Sequence, residues 1–270
     1  IKLSILVPAY NRPEHLDALL LSIVSQNNEE IEIIVSDDCS PRKNDVKSVL
    51  DKHKSSQANL ITYSQETNLG EVGNKNFLYK RASGKFLLYI GDDDLFKEGA
   101  IKDLLGLIDK YKTNDIFILG YRQEDDFAKS GKNFNFAFPF SISGKNLLKF
   151  GAANFDWFPF HFGHPASYIF KNCDEQEDIF QHNVGFAEDL AHLSLLLLRN
   201  YDFYFTDRCF MKWRKDDSRD QTNQSNDSSE HIKSRASLLN YIKHISKDFP
   251  YKDINIAIQD HIHVTKGNIL

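Results

Sequence analysis

Cysteine is scarce in this 270-residue chain, and its three cysteines, Cys39, Cys173 and Cys209, are far apart. Their number is odd and their spacing matches no metal-binding motif, which argues against a disulfide framework and against a cysteine metal site. Because disulfides are typical of oxidising compartments, we expect this protein to work in the reducing cytoplasm.

A basic excess and long apolar runs are also missing. The 33 Lys and Arg residues are outnumbered by 38 Asp and Glu residues, so the net charge of −5 predicts no nucleic-acid-binding surface. No stretch approaches the roughly 20 apolar residues of a membrane span. The opening segment, Ile1–Val7, lacks the charged region of a signal peptide and instead predicts a strand.

The first 120 residues alternate short apolar runs with amphipathic stretches. This pattern predicts strands at Leu3–Pro8, Ile31–Ser36, Leu60–Tyr63, Phe86–Ile90 and Ile116–Gly120, and helices at Pro13–Ser25, Asp45–His53, Val72–Ala82 and Ala100–Tyr111. Such alternation implies crossover connections between parallel strands. The predicted fold class is therefore α/β, with a mostly parallel central sheet flanked by helices.

After Tyr121 the pattern is looser, and residues 122–142 predict an irregular or hairpin region. Strands are expected at Pro165–Phe170, Phe203–Thr206 and Cys209–Trp213, and helices at Ser143–Phe150 (with Ser143 as N-cap), Gly185–Asn200, His231–Lys247 and Tyr251–His263. The polar residues 214–230 predict a loop.

Three adjacent carboxylates, Asp92, Asp93 and Asp94, follow Gly91 and the apolar strand that ends at Ile90. They are therefore expected at the carboxyl edge of the sheet, where open α/β folds bind ligands. Three like charges repel one another unless a cation neutralises them, so the motif predicts a divalent cation that bridges to phosphates. The alternative is a solvated acidic turn.

Two other predicted strands end in polar groups at the same edge. The first ends in Pro8-Ala9-Tyr10-Asn11-Arg12, which offers an aromatic ring for a base and a helix N-terminus for phosphate. The second ends in Ser36-Asp37-Asp38-Cys39-Ser40, whose carboxylates can accept hydrogen bonds from a base or ribose. Turn formation by Pro and Asn, and helix capping by Asp38 or Ser40, are the structural alternatives.

Further candidates lie in the second half of the chain. Glu188 and Asp189 begin a helix, where the helix dipole alone would favour acids. Arg214 and Lys215 form a basic pair that suits phosphate or solvent equally. The aromatic-rich segment Phe155–His164 suits the C–H faces of a sugar or the packing of a core.

Four motifs, in this order and spacing, resemble those of family 2 glycosyltransferases with the GT-A fold: Pro8–Arg12, Ser36–Ser40, Asn68-Leu69-Gly70 and Gly91–Asp94. The resemblance covers roughly the first 110 residues closely and rests on fewer motifs beyond them. Cys39 stands where the family usually has Gly, and Gly91 stands where many members have an Asp. This second difference shifts the family's Asp-X-Asp motif onto Asp92, Asp93 and Asp94.

The resemblance implies a role for each matching residue on the donor side. Asp93 would be the principal ligand of Mn²⁺ or Mg²⁺, with Asp94 as a possible second ligand, although which of the three acids binds the metal stays open. The residues expected to hold the nucleotide sugar are Pro8, Ala9, Tyr10, Arg12, Asp37, Asp38, Asn68, Gly70, Asn76 and Asp92, joined by Arg214 and Lys215 at the diphosphate.

In the second half, the resemblance implies that Asp189 is the catalytic base and that Glu188 supports it. The family often carries His near Arg214, where this chain has Lys215 and Asp216, so a metal ligand from that segment is in doubt. Trp157, His161 and His164 lie where the family binds its acceptor.

Together these features predict a single glycosyltransferase domain over 1–270, with a nucleotide-sugar half at 1–121, an acceptor half at 122–228 and C-terminal helices at 229–270. We expect metal-dependent, inverting transfer from a UDP-sugar to a glycan or lipid-linked saccharide, as in bacterial capsule or lipopolysaccharide synthesis. The expected place is the cytoplasm or the inner face of its membrane.

Two other functions stay open. A sugar nucleotidyltransferase also uses an α/β sheet with paired acids, but it normally needs a Gly-rich basic loop, and residues 8–13 contain no Gly. A noncatalytic sugar-nucleotide-binding protein would retain the donor motifs without turnover.

Overall fold

The computed structural model describes residues 1–54, 59–125, 131–134, 138–147, 168–173, 177–215, 228–245 and 247. The chain divides into two compact units. The first contains Ile1–Phe140, Pro165–Asp178 and Tyr204–Asp216, and the second contains Ser141–His164, Ile179–Phe203 and Asp217–Leu270.

The first unit is built on a mixed sheet. Its strands are β1 (Leu3–Ala9), β2 (Ile31–Asp37), β3 (Leu60–Ser64), β4 (Phe86–Tyr89), β5 (Leu95–Phe96), β6 (Ile116–Asp125), β7 (Gly131–Phe134), β9 (Tyr168–Lys171) and most of β10 (Asp202–Lys215), while β8 (Phe140–Ser143) begins at the end of this unit's first segment. The strand order is β3-β2-β1-β4-β9-β6-β10-β5, and β7 pairs with β6.

The four strands at one side of this sheet, β1 to β4, are parallel. β1 lies parallel to both β2 and β4, and β2 lies parallel to β3. The pairs of β9 with β4, of β9 with β6 and of β5 with β10 are antiparallel. The parallel side therefore brings the carboxyl ends of β1, β2 and β4 to one edge, as the sequence predicted.

The helices of the first unit are α1 (Pro13–Val24), α2 (Lys43–Lys54), α3 (Gly70–Tyr79) and α4 (Ala100–Lys110). Proline at the first position of α1 suits a helix start, and α1 buries Leu16, Leu19, Leu20 and Ile23 at helical spacing. α3 lies against β1 and β2. Since helices cover the sheet, β1 and β2 are buried along nearly their whole length, as expected for parallel strands.

The second unit contains a 3-10 helix (His182–Ala187) that leads directly into α5 (Glu188–Leu198), and these pack with α6 (Ser228–Ile245). A helical turn at 144–147 also belongs to it. The backbone N–H of Asn146 donates to Ser143 Oγ at 3.4 Å, which confirms Ser143 as an N-cap.

The second half of the structure differs from the predicted elements at two places, and a third prediction falls outside the described residues. The two strands expected at 203–206 and 209–213 are one strand, β10, which continues through the polar residues Asp207 and Arg208. The helix expected at Gly185–Asn200 is a 3-10 helix followed by α5. The helix expected at Tyr251–His263 lies outside the described residues.

In the part of the chain that the structure describes, no helix combines the length and the hydropathy that crossing a membrane requires.

Candidate active site

The ends of β1, β2 and β4 are joined by hydrogen bonds, which brings three of the sequence motifs together. The backbone N–H of Tyr10 donates to Asp92 Oδ2 at 3.2 Å. The backbone N–H of Asp38 donates to the carbonyl of Ala9 at 2.9 Å. The predicted convergence of the first, second and fourth motifs is therefore observed in the first unit.

The three adjacent acids at the end of β4 differ in exposure. Asp92 and Asp94 are buried, at 3% and 2% exposure, while the Asp93 side chain is 26% exposed. A tight turn links them, since the Asp94 N–H donates to the Gly91 carbonyl at 3.2 Å. A Cβ on residue 91 would lie 2.7 Å from Asp93 Oδ1, so glycine leaves room for the Asp93 carboxylate.

Arg12 supplies positive charge to this acidic cluster. Its Nη1 lies 2.6 Å from Asp93 Oδ2 and 3.5 Å from Asp92 Oδ1. Burial lowers the pKa of Arg12, but the charges of Asp92 and Asp93 more than compensate, so its pKa lies above the usual value. The sequence had predicted Arg12 as a contact of the donor, and the structure places it against the acids.

Burial raises the pKa of Asp92 to about 7, although the charge of Arg12 opposes this rise. A carboxyl group removed from water is less stable in its ionised form than a solvated one. The ionisation of Asp92 therefore depends on a nearby cation or hydrogen-bond donor.

Asp37 holds together the turns that follow β1 and β2. Its carboxylate accepts hydrogen bonds from the hydroxyl and the backbone N–H of Ser40. The same hydroxyl accepts a hydrogen bond from the Asn11 N–H at 2.8 Å. With 1% exposure, Asp37 organises this edge of the sheet, and its predicted contact with the nucleotide stays a prediction.

Asp38 fixes the loop that enters α3. One of its carboxylate oxygens accepts a hydrogen bond from the Leu69 N–H at 2.7 Å, and Asn68 Nδ2 donates to the Asp38 carbonyl at 3.1 Å. Burial raises the pKa of Asp38, although the N–H groups of Leu69 and Gly70 oppose the rise. Asp38, Asn68 and Gly70, predicted to act on the same ligand, are thus adjacent in space.

Cys39 has a left-handed backbone, with φ of 60°. This conformation favours glycine, which is the residue usual at this position in the family that the sequence resembles. The Cys39 thiol lies 3.5 Å from the carbonyl of Glu66. The turn therefore keeps a glycine-like backbone although a side chain is present.

Lys75 and Asn76, on α3, are both buried, at 1% and 3% exposure. Lys75 Nζ lies 3.1 Å from Glu71 Oε1, and the Lys75 carbonyl accepts a hydrogen bond from the Tyr89 hydroxyl at 2.8 Å. Sequence reasoning selected Asn76 and missed Lys75. The sequence pattern that could have revealed Lys75 is a lysine on the sheet-facing side of the helix, four residues after a glutamate.

The acidic cluster has the chemistry of a divalent-cation site but, among the described residues, not a complete set of protein ligands. Carboxylate oxygens are the donors that Mg²⁺ and Mn²⁺ prefer, and the pairing with Arg12 shows that the cluster accommodates positive charge. Within the described ranges, however, no group of three or more His, Cys, Asp or Glu side chains is arranged to hold a metal ion. The residues fit a cation that one or two carboxylates hold and phosphate oxygens complete.

In the second unit, Glu188 and Asp189 occupy the first turn of α5 and are 4% and 7% exposed. They follow Gly185, whose φ of 60° places it in the left-handed region. A Cβ on residue 185 would lie 2.3 Å from the hydroxyl oxygen of Ser234 on α6. Close packing of α6 on this turn therefore requires glycine and fixes the segment that leads into the acidic pair.

Several predicted site residues cannot be placed. Trp157, His161 and His164 lie outside the described residues, as do the side chains of Arg214 and Lys215, whose backbone forms the end of β10.

A comparison with known protein families finds a match to the model described as glycosyl transferase family 2 over residues 4–171. The chain belongs to this family. The GT-A fold class predicted from the sequence is confirmed as well.

Two curated relatives are similar to part of the chain. The poly(ribitol-phosphate) beta-N-acetylglucosaminyltransferase TarS of Staphylococcus aureus is 32% identical over 120 residues, which is 43% of this chain and 20% of that protein. The GalNAc(5)-diNAcBac-PP-undecaprenol beta-1,3-glucosyltransferase of Campylobacter jejuni is 37% identical over 105 residues, which is 38% of this chain and 33% of that protein. The matches therefore span a third or less of either relative.

Among solved structures, residues 1–349 of S. aureus TarS in complex with UDP-GlcNAc match with a TM-score of 0.71 and 20% identity, over 90% of this chain and 66% of that chain. At 20% sequence identity, this structural similarity establishes the fold alone.

Proposed function

We propose that this family 2 member is an inverting glycosyltransferase that moves a sugar from a UDP-sugar to a hydroxyl group of a glycan or lipid-linked saccharide. The observation that carries the proposal is the convergence of the Tyr10, Asp38 and Asp92 segments at one sheet edge in a chain of this family. Ligands bind at this edge in open α/β folds.

The donor is proposed to lie along the carboxyl ends of β1, β2 and β4. Tyr10 offers a ring to the base, and Pro8 and Ala9 shape the end of β1 beside it. Asp37 and Asp38 would accept hydrogen bonds from the base and ribose, and Asn68, Gly70 and Asn76 would border the sugar. The UDP-GlcNAc complex of TarS, which has the same fold, supports a uridine nucleotide as the donor.

The proposed chemistry is a single displacement. The acceptor oxygen attacks the anomeric carbon and transfers its proton to the Asp189 carboxylate, with Glu188 in support. The bond between that carbon and the diphosphate oxygen breaks with both electrons remaining on UDP. Because attack and departure occur on opposite faces, the anomeric configuration is inverted.

Charge on the departing diphosphate needs stabilisation. Asp93 and Asp94 would hold a divalent cation, which, when bound, withdraws charge from the diphosphate and makes it a better leaving group. Arg214 and Lys215 are proposed to neutralise phosphate oxygens directly.

Two relatives support an acceptor class, since their names give a poly(ribitol-phosphate) and an undecaprenol-linked saccharide as acceptors. We propose a bacterial surface polymer or its lipid-linked precursor as acceptor, with Trp157, His161 and His164 as contacts. Such a reaction would take place in the cytoplasm, at the inner face of its membrane.

The decisive experiment combines two measurements on the full chain. Thermal shift with a panel of nucleotide sugars, with and without Mn²⁺, identifies the donor. Release of UDP is then measured with saccharide acceptors, and NMR of the product reports the anomeric configuration. We expect one UDP-sugar to stabilise the protein and to be consumed with inversion.

Other outcomes would contradict the proposal. Pyrophosphate release from a nucleoside triphosphate and a sugar phosphate would indicate a nucleotidyltransferase. A donor that binds but is never consumed across a broad panel of acceptors would indicate a noncatalytic binding protein.

A further inference from the structure

Arg12 is the residue in the acidic cluster whose position the proposed reaction leaves unexplained. It lies in the turn between β1 and α1, next to Asn11, whose φ of 56° is left-handed. This turn directs the guanidinium onto Asp93 rather than away from the sheet, with Nη1 and Oδ2 2.6 Å apart.

The contact is neither buried nor fully solvated, since the side chains of Arg12 and Asp93 are 35% and 26% exposed. An ion pair of this kind is worth little to stability, so the two groups can separate at small cost. The guanidinium nevertheless occupies one of the two Asp93 carboxylate oxygens, Oδ2. Two positive centres on one carboxylate repel each other, so binding of one weakens binding of the other.

We propose that Arg12 is an internal counter-ion that competes with a divalent cation for Asp93. The free cation therefore binds weakly, and binding improves when a diphosphate arrives with it. A guanidinium displaced from a carboxylate can pair with phosphate oxygens, which also suit its fork of N–H donors. This inference rests on the proposed function in taking Asp93 as a ligand of the cation.

The test measures binding of Mn²⁺ alone to the full chain, without nucleotide, from the electron paramagnetic resonance signal of the free ion. Arg12→Gln removes the competing charge, and we expect its Kd for Mn²⁺ to fall at least about fivefold below that of the wild type. Arg42→Gln is the matched control, because Arg42 is also paired with acids, Glu14 and Asp45, but on an exposed surface. Its Kd should equal that of the wild type.

Two further variants locate the effect. Adding Asp93→Asn to Arg12→Gln should abolish the gain, and Arg12→Lys should show little gain because the charge is retained. Circular dichroism checks the fold of each variant, and Arg12→Met replaces Arg12→Gln if the latter does not fold. Unchanged or weaker Mn²⁺ binding in the neutral variants, or a gain that survives Asp93→Asn, would overturn the proposal.

Neither donor nor acceptor is present in this experiment. A protein that transfers no sugar would count against the proposed function, while the Mn²⁺ measurements would still support or overturn the competition between Arg12 and the cation.

Discussion

At the scale of single residues, Asp92 and Asp93 show how neighbouring carboxylates acquire different properties. Asp92 is buried and accepts a backbone hydrogen bond, whereas Asp93 is partly exposed and paired with Arg12. The tight turn that links these acids, closed by the Asp94 N–H on the Gly91 carbonyl, gives the two side chains different surroundings.

The raised pKa of Asp92 predicts a pH dependence of stability. The pKa of Asp92 is about 7 in the folded protein, against an ordinary value of 3.8. Between these values the folded state binds more protons than the unfolded state, so this group's contribution is fully present at low pH and is lost as the pH rises towards about 7. Asp92→Asn should remove that loss.

Urea denaturation in EDTA at about pH 5 and about pH 8 measures this effect. The variant should gain free energy of unfolding relative to the wild type at the higher pH, and the gain should shrink at the lower pH. Asp51→Asn, on an exposed face of α2, is the control and should show no such trend. An equal difference at both values would mean that Asp92 is not the group responsible.

Loss of the Asp93 carboxylate is expected to change nucleotide binding rather than the pH dependence of stability. Asp93→Asn should weaken UDP binding in the presence of Mn²⁺ on the order of tenfold, because a carboxylate ligand is lost. In EDTA the two proteins should bind UDP with similar affinity. Isothermal titration calorimetry makes both comparisons, and a loss of the same size with and without metal would exclude a role through the cation.

The sequence predicted which acids lie at the edge of the sheet, but it did not predict which side chains they contact. The Arg12 contact depends on the left-handed backbone of Asn11, and the closure of Asp37 on Ser40 depends on the left-handed Cys39. Asn adopts this conformation more readily than most residues, but only in a minority of cases, and Cys is not among the residues that favour it. Motifs locate a functional edge, while side-chain partners follow from turn geometry that is decided by the tertiary fold.

At the scale of elements, the buried face of the sheet is held by a second polar network, around Glu32 of β2. Its carboxylate accepts hydrogen bonds from the Ser4 hydroxyl, from the backbone N–H and hydroxyl of Ser83, and from the Gly84 N–H. The connection between α3 and β4 is thereby fixed to β1 and β2. A buried carboxylate satisfied by several donors is stabilising only while all of them are present.

Gly84 tests how tightly this connection is packed. A Cβ on residue 84 would lie 2.5 Å from Ser4 Oγ and 2.6 Å from the Ser4 backbone nitrogen. Gly84→Ala should therefore lower the free energy of unfolding by about 1–3 kcal/mol through overpacking. Thermal and urea denaturation measure the change.

The matched control is Gly106→Ala in the exposed face of α4, where an added Cβ meets no atom within 4 Å. Alanine favours a helix by about 1 kcal/mol over glycine, so this variant should be more stable than the wild type. If Gly84→Ala were equally tolerated, the connection would not be closely packed.

Elements were predictable where periodicity was strong. β1, β2 and α1 were placed within about two residues because long apolar patterns determine them. β5 was missed because a two-residue strand, Leu95–Phe96, carries no periodic signal and exists through its pairing with β10. Strands were predicted at β6, β9 and β10, but the antiparallel direction of β9 was not, because pairing direction is a property of the fold and not of any one segment.

At the scale of the whole molecule, the two units carry different parts of the proposed chemistry. The donor residues of β1, β2 and β4 belong to the first unit, and Glu188 and Asp189 belong to the second. A change confined to the acidic pair should therefore alter turnover while leaving nucleotide binding intact.

Asp189→Asn tests this division. The amide cannot accept the acceptor's proton, so transfer should fall by about 10²–10⁴-fold, while the Kd for UDP with Mn²⁺ stays near the wild-type value. UDP release and calorimetry measure the two quantities, and Asp51→Asn provides the same substitution on an exposed surface. Near-normal turnover would exclude Asp189 as the base and favour the helix-dipole explanation of this pair.

The arrangement of the parallel strands has a consequence for how this protein can evolve. The residues of β1, β2, α3 and β4 that are proposed to bind the donor are encoded between positions 8 and 94, in one uninterrupted stretch. Crossover connections allow a short piece of sequence to build a complete edge of the sheet. Such a piece can be retained as a block during evolution while the later sequence diversifies, so a lineage could change the proposed acceptor without rebuilding the proposed nucleotide site.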